Sequence, residues 1–450
     1  MVSRAGRADL RFVWHPFTQM EEYARQEPLV VSRARGVHLW DGRGRRYLDG
    51  VSSLWTNLHG HRHPALDRAV RAQLGRVAHS TLLGAANEPS ALLAEELVRI
   101  APGGLDRVFY ADAGAAAVEA ALKMAYQYWR NRGVRGKRRF LSLENGYHGD
   151  TLGAVSVGGI GMFRERFGEL LFPGYRAPAP HAYRCALRRR PHGAEECGEH
   201  CAEAARELLK KHRRELAAFI LEPKVQGAAG MVVHPDSYLR RVAELREEFD
   251  DILLIADEVA TGFGRTGRMF ACDHGGLEPD LLVLGKGISG GYLPLAATLA
   301  TGEIYREFLG DYESRTFFHG HTYTGNPLAC AAGLASLEVF RRERTLRKMQ
   351  PKIRHLARRL EGLRDSPGVG DIRQAGFMAG IELARDRETR EEFPVRERVG
   401  HRVCLAARRR GVLIRPLGNV VTLVPPLAME PPDLDRLVGA VEFGIGEVLG

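Results

Sequence analysis

From about residue 65 onward, short apolar runs alternate with helical stretches, and this alternation narrows the possible folds more than any other feature of the chain. Phe140–Leu143, Ala218–Leu221, Ile252–Ala256 and Leu281–Leu284 are largely apolar segments of strand length, each ended by glycine or a charged residue. A strand that is apolar on both faces has to be buried on both, as parallel strands are when helices cover a sheet. Over Ala115–Trp129, residues Val118, Ala121, Leu122, Ala125 and Trp129 recur at i, i+3, i+4 spacing, which predicts a helix with one buried face. Repeated strand–helix units predict an α/β fold with a mostly parallel central sheet. In such sheets function gathers at the carboxyl ends of the strands.

The chain ends read differently. Residues 37–51 alternate apolar and polar positions around glycine-containing turns, the pattern of a β-meander, which is marginal alone in water and needs a partner. Beyond about residue 333 a long charged helix (about 334–363) is expected, then strand-like Gly376–Leu383, a helix (about 396–410), and strand-like Val412–Arg415 and Val420–Val424. The expected organisation is a large domain over 65–333 and a smaller α+β domain built from 1–64 and 334–450.

Net charge is +10, and 57 of the 65 basic residues are arginine. They are spread beside acidic residues in helical stretches, and the densest run, Arg188-Arg189-Arg190, has no recognition-helix or RNA-binding signature around it. No nucleic-acid partner is expected. No run approaches ~18 apolar residues and the first residues lack the apolar core of a secretory signal, so a cytoplasmic protein without membrane contact is expected. Six cysteines make no disulfide framework. Cys185, Cys197 and Cys201 lie near His181, His192 and His200, but no Cys-x2-Cys pair occurs; the stretch reads as a polar surface insertion with reduced thiols, and no metal is expected.

Two strand ends carry chemistry. Ile252-Leu-Leu-Ile-Ala-Asp257-Glu258 delivers carboxylates at the end of an apolar strand, followed by the glycine-rich Thr261-Gly-Phe-Gly-Arg265-Thr-Gly267. Leu281-Leu-Val-Leu-Gly285-Lys286-Gly287 places one of only eight lysines just past another buried strand. Lost hydration there lowers the amine's pKa and makes it nucleophilic. The two positions are 29 residues apart, about one strand–helix unit. A lysine that condenses with an aldehyde cofactor, and an acid that keeps a pyridine nitrogen protonated, would together make an electron sink. Tyr110-Ala-Asp-Ala-Gly114-Ala115 leads from a short strand into a strong helix, whose N-terminus could hold a phosphate; Thr322 is a second candidate donor. Tyr147, in Asn145-Gly-Tyr-His-Gly-Asp150, is a candidate aromatic platform.

Together these segments resemble the fold-type I, pyridoxal-phosphate-dependent class III aminotransferases, over nearly the whole chain. Within the class, Trp14-His-Pro-Phe17, Asp49-Gly-Val-Ser-Ser-Leu-Trp55, Phe109–Trp129 and Arg415-Pro-Leu-Gly-Asn419 are similar to the branch acting in biotin biosynthesis. Ala260 stands where ornithine and aminobutyrate transaminases usually carry Gln.

The resemblance implies pyridoxal 5'-phosphate as cofactor and a homodimer with active sites at the subunit interface. It implies Lys286 as Schiff-base lysine and proton shuttle, Asp257 as partner of the pyridine nitrogen, and Tyr147 at the ring. Gly114 and Ala115 would bind phosphate through backbone N–H groups, with Thr322 reaching in from the partner subunit. Trp55, Phe17 and Gly320 would line the substrate site, Arg415 would clamp the substrate carboxylate, and Arg265 would sit near the site. The implied reaction is transamination of 8-amino-7-oxononanoate to 7,8-diaminononanoate, with adenosylmethionine or lysine as amino donor.

Two departures matter. The phosphate loop often reads Asp-Ser-Gly-Ser in the family, and here it is Asp112-Ala113-Gly114-Ala115, so backbone amides must do more. Phe17 and Leu54 stand where adenosylmethionine-using members tend to have Tyr and Trp, which leans towards a lysine donor. The competing readings are another class III transaminase acting on ω-amines or diamines, a decarboxylase or aminomutase on the same fold, and a non-enzymatic basic scaffold.

Overall fold

A computed structural model describes residues 2–187 and 193–450. The triple arginine and His192 lie outside the described residues.

The apolar runs assemble side by side. The central sheet has seven strands in the order Leu105–Ala111, Ala296–Thr301, Leu281–Leu284, Leu253–Asp257, Leu216–Leu221, Arg139–Leu143 and Tyr175–Ala177. Ala296–Thr301 runs antiparallel to both neighbours and every other pairing is parallel. All residues of Leu216–Leu221, Leu253–Asp257 and Leu281–Leu284 are buried, as continuous apolarity requires of strands covered on both faces.

The predicted helix spans Gly114–Asn131, and its predicted face is buried. Small side chains on that face (Ala117, Ala121 and Ala125) let it lie close against the sheet, packing on Ile220, Ile255 and Val283.

The smaller unit holds the antiparallel sheet Val369–Ala375, Met378–Asp386, Val420–Leu423 and Arg415–Leu417, with the helices Val399–Arg409 and Pro431–Leu449. The N-terminal meander is Val31–Arg35, His38–Asp41 and Arg46–Asp49. Its partner comes from the far end of the chain: Leu48 and Asp49 pair in parallel with Val412 and Leu413.

Two expectations need correction. The single helix expected over about 334–363 is two, Pro327–Arg342 and Thr345–Glu361, separated by a left-handed residue, Arg344, at φ 54°. The first packs through Gly333 onto Leu93; the second buries Met349, Leu356 and Leu360. One straight helix could not turn its apolar side to both. Secondly, Cys197 and Cys201 are not on a polar surface insertion. They lie on the buried face of the helix Ala194–His212, within the main core, with Cys185 packed partly buried against it.

Candidate active site

Strand register brings the two chemical residues together. Asp257 is paired across the ladder with Val283, three residues before Lys286. Adjacent parallel strands lie ~4.8 Å apart, so both residues leave the sheet at the same carboxyl edge. There they face a cavity of about 530 Å³, lined also by Gly114, Ala115, Tyr147, His148 and Glu222.

The turn after Leu281–Leu284 aims the lysine. Lys286 has φ 41°, in the left-handed region that a side chain makes costly. Neighbouring glycines are required by close packing. A Cβ on Gly285 would lie 3.1 Å from Val259 Cγ1, and one on Gly287 3.1 Å from Phe263 Cβ. Burial lowers the pKa of Lys286, and the positive charge of Arg265 adds to this, while Asp257 and Glu222 oppose it. The ammonium sits 5.0 Å from the centroid of the Trp55 ring.

Asp257 is buried and fixed at both oxygens. Oδ1 accepts the Val259 N–H at 3.0 Å, and Oδ2 lies 2.7 Å from His148 Nδ1. Burial disfavours charge on His148, but the hydrogen bond and charge of Asp257 outweigh it and raise the imidazole pKa. Nε2 of His148 is buried with no partner among the described residues. Glu222, at the end of Leu216–Leu221, accepts the N–H groups of Tyr147 and Gly227 at 2.9 and 3.0 Å. Burial raises its pKa to about 7. Sequence reasoning passed over Glu222 and His148. The signal for Glu222 was the one used for Asp257, an acid directly after an apolar strand. Its neighbour Pro223 also reads as an ordinary turn.

Tyr147 donates its hydroxyl to Asp150 at 2.8 Å, and burial with this bond raises the phenol pKa. The segment Tyr147–Thr151 is pressed onto the start of the helix Gly114–Asn131: a Cβ on Gly149, at φ 121°, would lie 2.4 Å from Ala115 Cβ. That helix has no side-chain cap at Ala113. Its first-turn N–H groups therefore have no side-chain acceptor, and an anion is the partner such amides take. The Thr151 hydroxyl is committed to Glu119.

Phe17, Leu54, Trp55, Phe163 and Leu417 supply an apolar part of the lining, and Arg415 lines the same cavity with its guanidinium carbon 5.9 Å from the Phe17 ring. Arg415 makes no ion pair among the described residues, so a substrate carboxylate would meet an unneutralised fork.

Three of the expected residues do not line this chain's own cavity, although Thr322 is expected to serve a partner's site and Arg265 only to sit near this one. Arg265 does not line the cavity; it is buried behind it, donating to Pro425 O at 2.8 Å and Asn57 O at 2.9 Å. Gly320 and Thr322 are exposed and outside this chain's cavity.

Residues 20–443 match the family model for aminotransferase class III. The chain is 55% identical over 446 residues to the adenosylmethionine-8-amino-7-oxononanoate aminotransferase of Nitratidesulfovibrio vulgaris, covering 98% of this chain and 82% of the relative. The crystal structure of the enzyme of that name from Methanocaldococcus jannaschii superposes with a TM-score of 0.93 at 45% identity, over 99% of each chain. An (S)-enantioselective omega-transaminase from Thermomicrobium roseum superposes with a TM-score of 0.94 at 36% identity, over 99% of this chain and 98% of that one.

Proposed function

The chain belongs to the class III aminotransferases, and from that premise we propose that it transfers an amino group to 8-amino-7-oxononanoate, giving 7,8-diaminononanoate for biotin biosynthesis. The observation that carries this reading is the shape of the cavity. A reactive lysine and a buried acid share one cavity with an apolar wall, and an arginine with no ion pair among the described residues stands beside that wall. A long hydrocarbon chain ending in carboxylate fits such a lining, since a planar five-donor fork grips a carboxylate in two places.

The residues fit pyridoxal phosphate on their own evidence. Lys286 is a buried amine with no hydrogen-bonded partner among the described residues, and it lines the cavity. The helix at Gly114 offers uncapped amides, and a Cβ on Gly114 would sit 2.7 Å from Val259 Cγ1, so only glycine fits there. Asp257, backed by His148, gives a buried negative charge for a ring nitrogen. When bound, pyridoxal phosphate supplies an aldehyde carbon that takes up the amino group and a ring that spreads charge from the donor carbon.

The chain's own residues do the rest. Lys286 would hold the cofactor, and its Nζ would carry the proton of the donor carbon; a lowered pKa leaves more of the amine as free base at neutral pH. Asp257 is held in place by two hydrogen bonds, one to each carboxylate oxygen. Trp55 and Phe17 exclude water from the hydrocarbon chain, and Arg415 orients its carboxylate. Thr322, exposed on this chain, completes the phosphate site of the partner in a homodimer, and Gly320 beside it lines the partner's substrate site. The donor is lysine or adenosylmethionine; Phe17 and Leu54 favour lysine. The place of action is the cytoplasm.

Lys286→Ala is expected to abolish turnover and the absorbance of the cofactor–lysine linkage; a yellow, active variant overturns the assignment. The fold shared with the T. roseum omega-transaminase supports a second reading, transfer to ω-amine products. Paired assays with 8-amino-7-oxononanoate and with pyruvate as acceptors separate the two. Mixing the aldehyde form with lysine or with adenosylmethionine, and following conversion to the amine form, identifies the donor.

A further inference from the structure

Between the meander and the first helix of the large unit, four consecutive non-glycine residues have left-handed backbones: Ser52 (φ 50°), Ser53 (47°), Leu54 (72°) and Trp55 (68°). The Trp55 N–H bonds to Val51 O at 2.7 Å and the Thr56 N–H to Ser52 O at 3.0 Å, so this is a closed turn of left-handed helix. Each of the four residues pays a steric cost in this conformation, because Cβ crowds the following carbonyl. Local preference cannot form such a turn, so other contacts must hold it.

We propose that Asp49 is a positioning residue for substrate: it clamps the left-handed turn Ser52–Trp55 and so fixes the Trp55 and Leu54 walls of the cavity. Asp49 is fully buried at the end of the strand Arg46–Asp49. Its Oδ1 accepts the Ser53 N–H at 2.9 Å, and its Oδ2 accepts the Ser53 hydroxyl and meets His61 Nε2, each at 2.9 Å. The turn is held from two further sides. The Ser52 hydroxyl donates to Val424 O at 2.6 Å, and Arg265 donates to Asn57 O just beyond the turn. This gives the buried arginine of the glycine-rich stretch a task, since it grips the turn from behind the cavity.

The clamped turn has little room to shift. Trp55 is 7% exposed, and even a Cβ on Gly227 would lie 3.0 Å from its Cζ3. Leu54 is 47% exposed and faces the cavity. Asp257, His148 and Glu222 stand on other segments and do not depend on the turn. Lys286 is anchored on its own strand end and meets the turn only through the Trp55 ring, 5.0 Å from its ammonium, so loosening the turn acts first on the substrate wall.

This deepens the transaminase reading and rests on it for the substrate used. Asp49→Ala is expected to raise KM for 8-amino-7-oxononanoate about tenfold while kcat stays within about threefold. In cofactor-free protein carrying Trp14→Phe, which removes the most exposed tryptophan, the same change should increase acrylamide quenching through Trp55. That readout needs no substrate, so it stands if the acceptor is a different ketone. Ser53→Gly in the Asp49→Ala background should restore both readouts at least halfway, because glycine takes positive φ without the steric cost. An Asp49→Ala variant with wild-type KM and quenching overturns the proposal, as does a double variant with no recovery. If Asp49→Ala does not fold, Ser53→Val replaces it: a branched residue resists positive φ, so the same KM rise is expected, and a wild-type KM overturns the proposal.

Discussion

Arg415 shows how far single residues could be read. Its position on a strand of the small sheet, beside Phe17 from the N-terminal segment, joins parts of the chain almost 400 residues apart. Arg415→Lys keeps the charge but loses the fork, so KM for the carboxylate-bearing ketone should rise about tenfold with a smaller change in kcat; steady-state kinetics with and without that carboxylate check this. Lys286 and Asp257 were legible because each ends an apolar strand, and a reactive group there has few structural uses. His148 was not, because its role depends on a 2.7 Å contact with Asp257, 109 residues away. Arg265 illustrates an intermediate case. It sits near enough for its charge to act on Lys286, while its hydrogen bonds go to two backbone carbonyls behind the cavity.

At the level of elements, boundaries followed periodicity and breaks did not. The helix Gly114–Asn131 and the strand Leu281–Leu284 match their apolar patterns closely. The break at Arg344 and the left-handed turn at Ser52–Trp55 carry no glycine and left no signal, since long-range contacts impose them against local preference. The junction of Gly149 with Ala115 is the element contact most open to test. Gly149→Ala meets both a positive φ and an occupied space, a clash that costs about 1–3 kcal/mol. It should lower the melting temperature and weaken cofactor binding, measured by equilibrium dialysis of pyridoxal phosphate. Unaltered binding would mean that the 147–151 segment does not position the helix N-terminus.

For the molecule as a whole, Glu222 links the site to stability. Its folded pKa is raised to about 7 by burial, above an ordinary glutamate. Between about pH 4.5 and 7 the folded protein therefore keeps a proton that the unfolded chain has released, and stability falls as pH rises through that window. The melting temperature of the cofactor-free protein should drop relative to Glu222→Gln from about pH 5 to about pH 7.5; parallel curves would defeat this. Exposed Thr322 leads to a second prediction at this scale. Sedimentation should give twice the chain mass, and Thr322→Ala should weaken pyridoxal phosphate binding without dissociating the dimer. The alternation of buried strands and amphipathic helices determined the α/β class and the sheet edge at which Lys286 and Asp257 emerge, because burial and periodicity act over a few residues and are written locally. Folding alone decided that Leu48 pairs with Val412, that His148 backs Asp257, and that Asp49 grips Ser53. Those contacts depend on how distant segments close upon one another, and no short stretch of sequence encodes that.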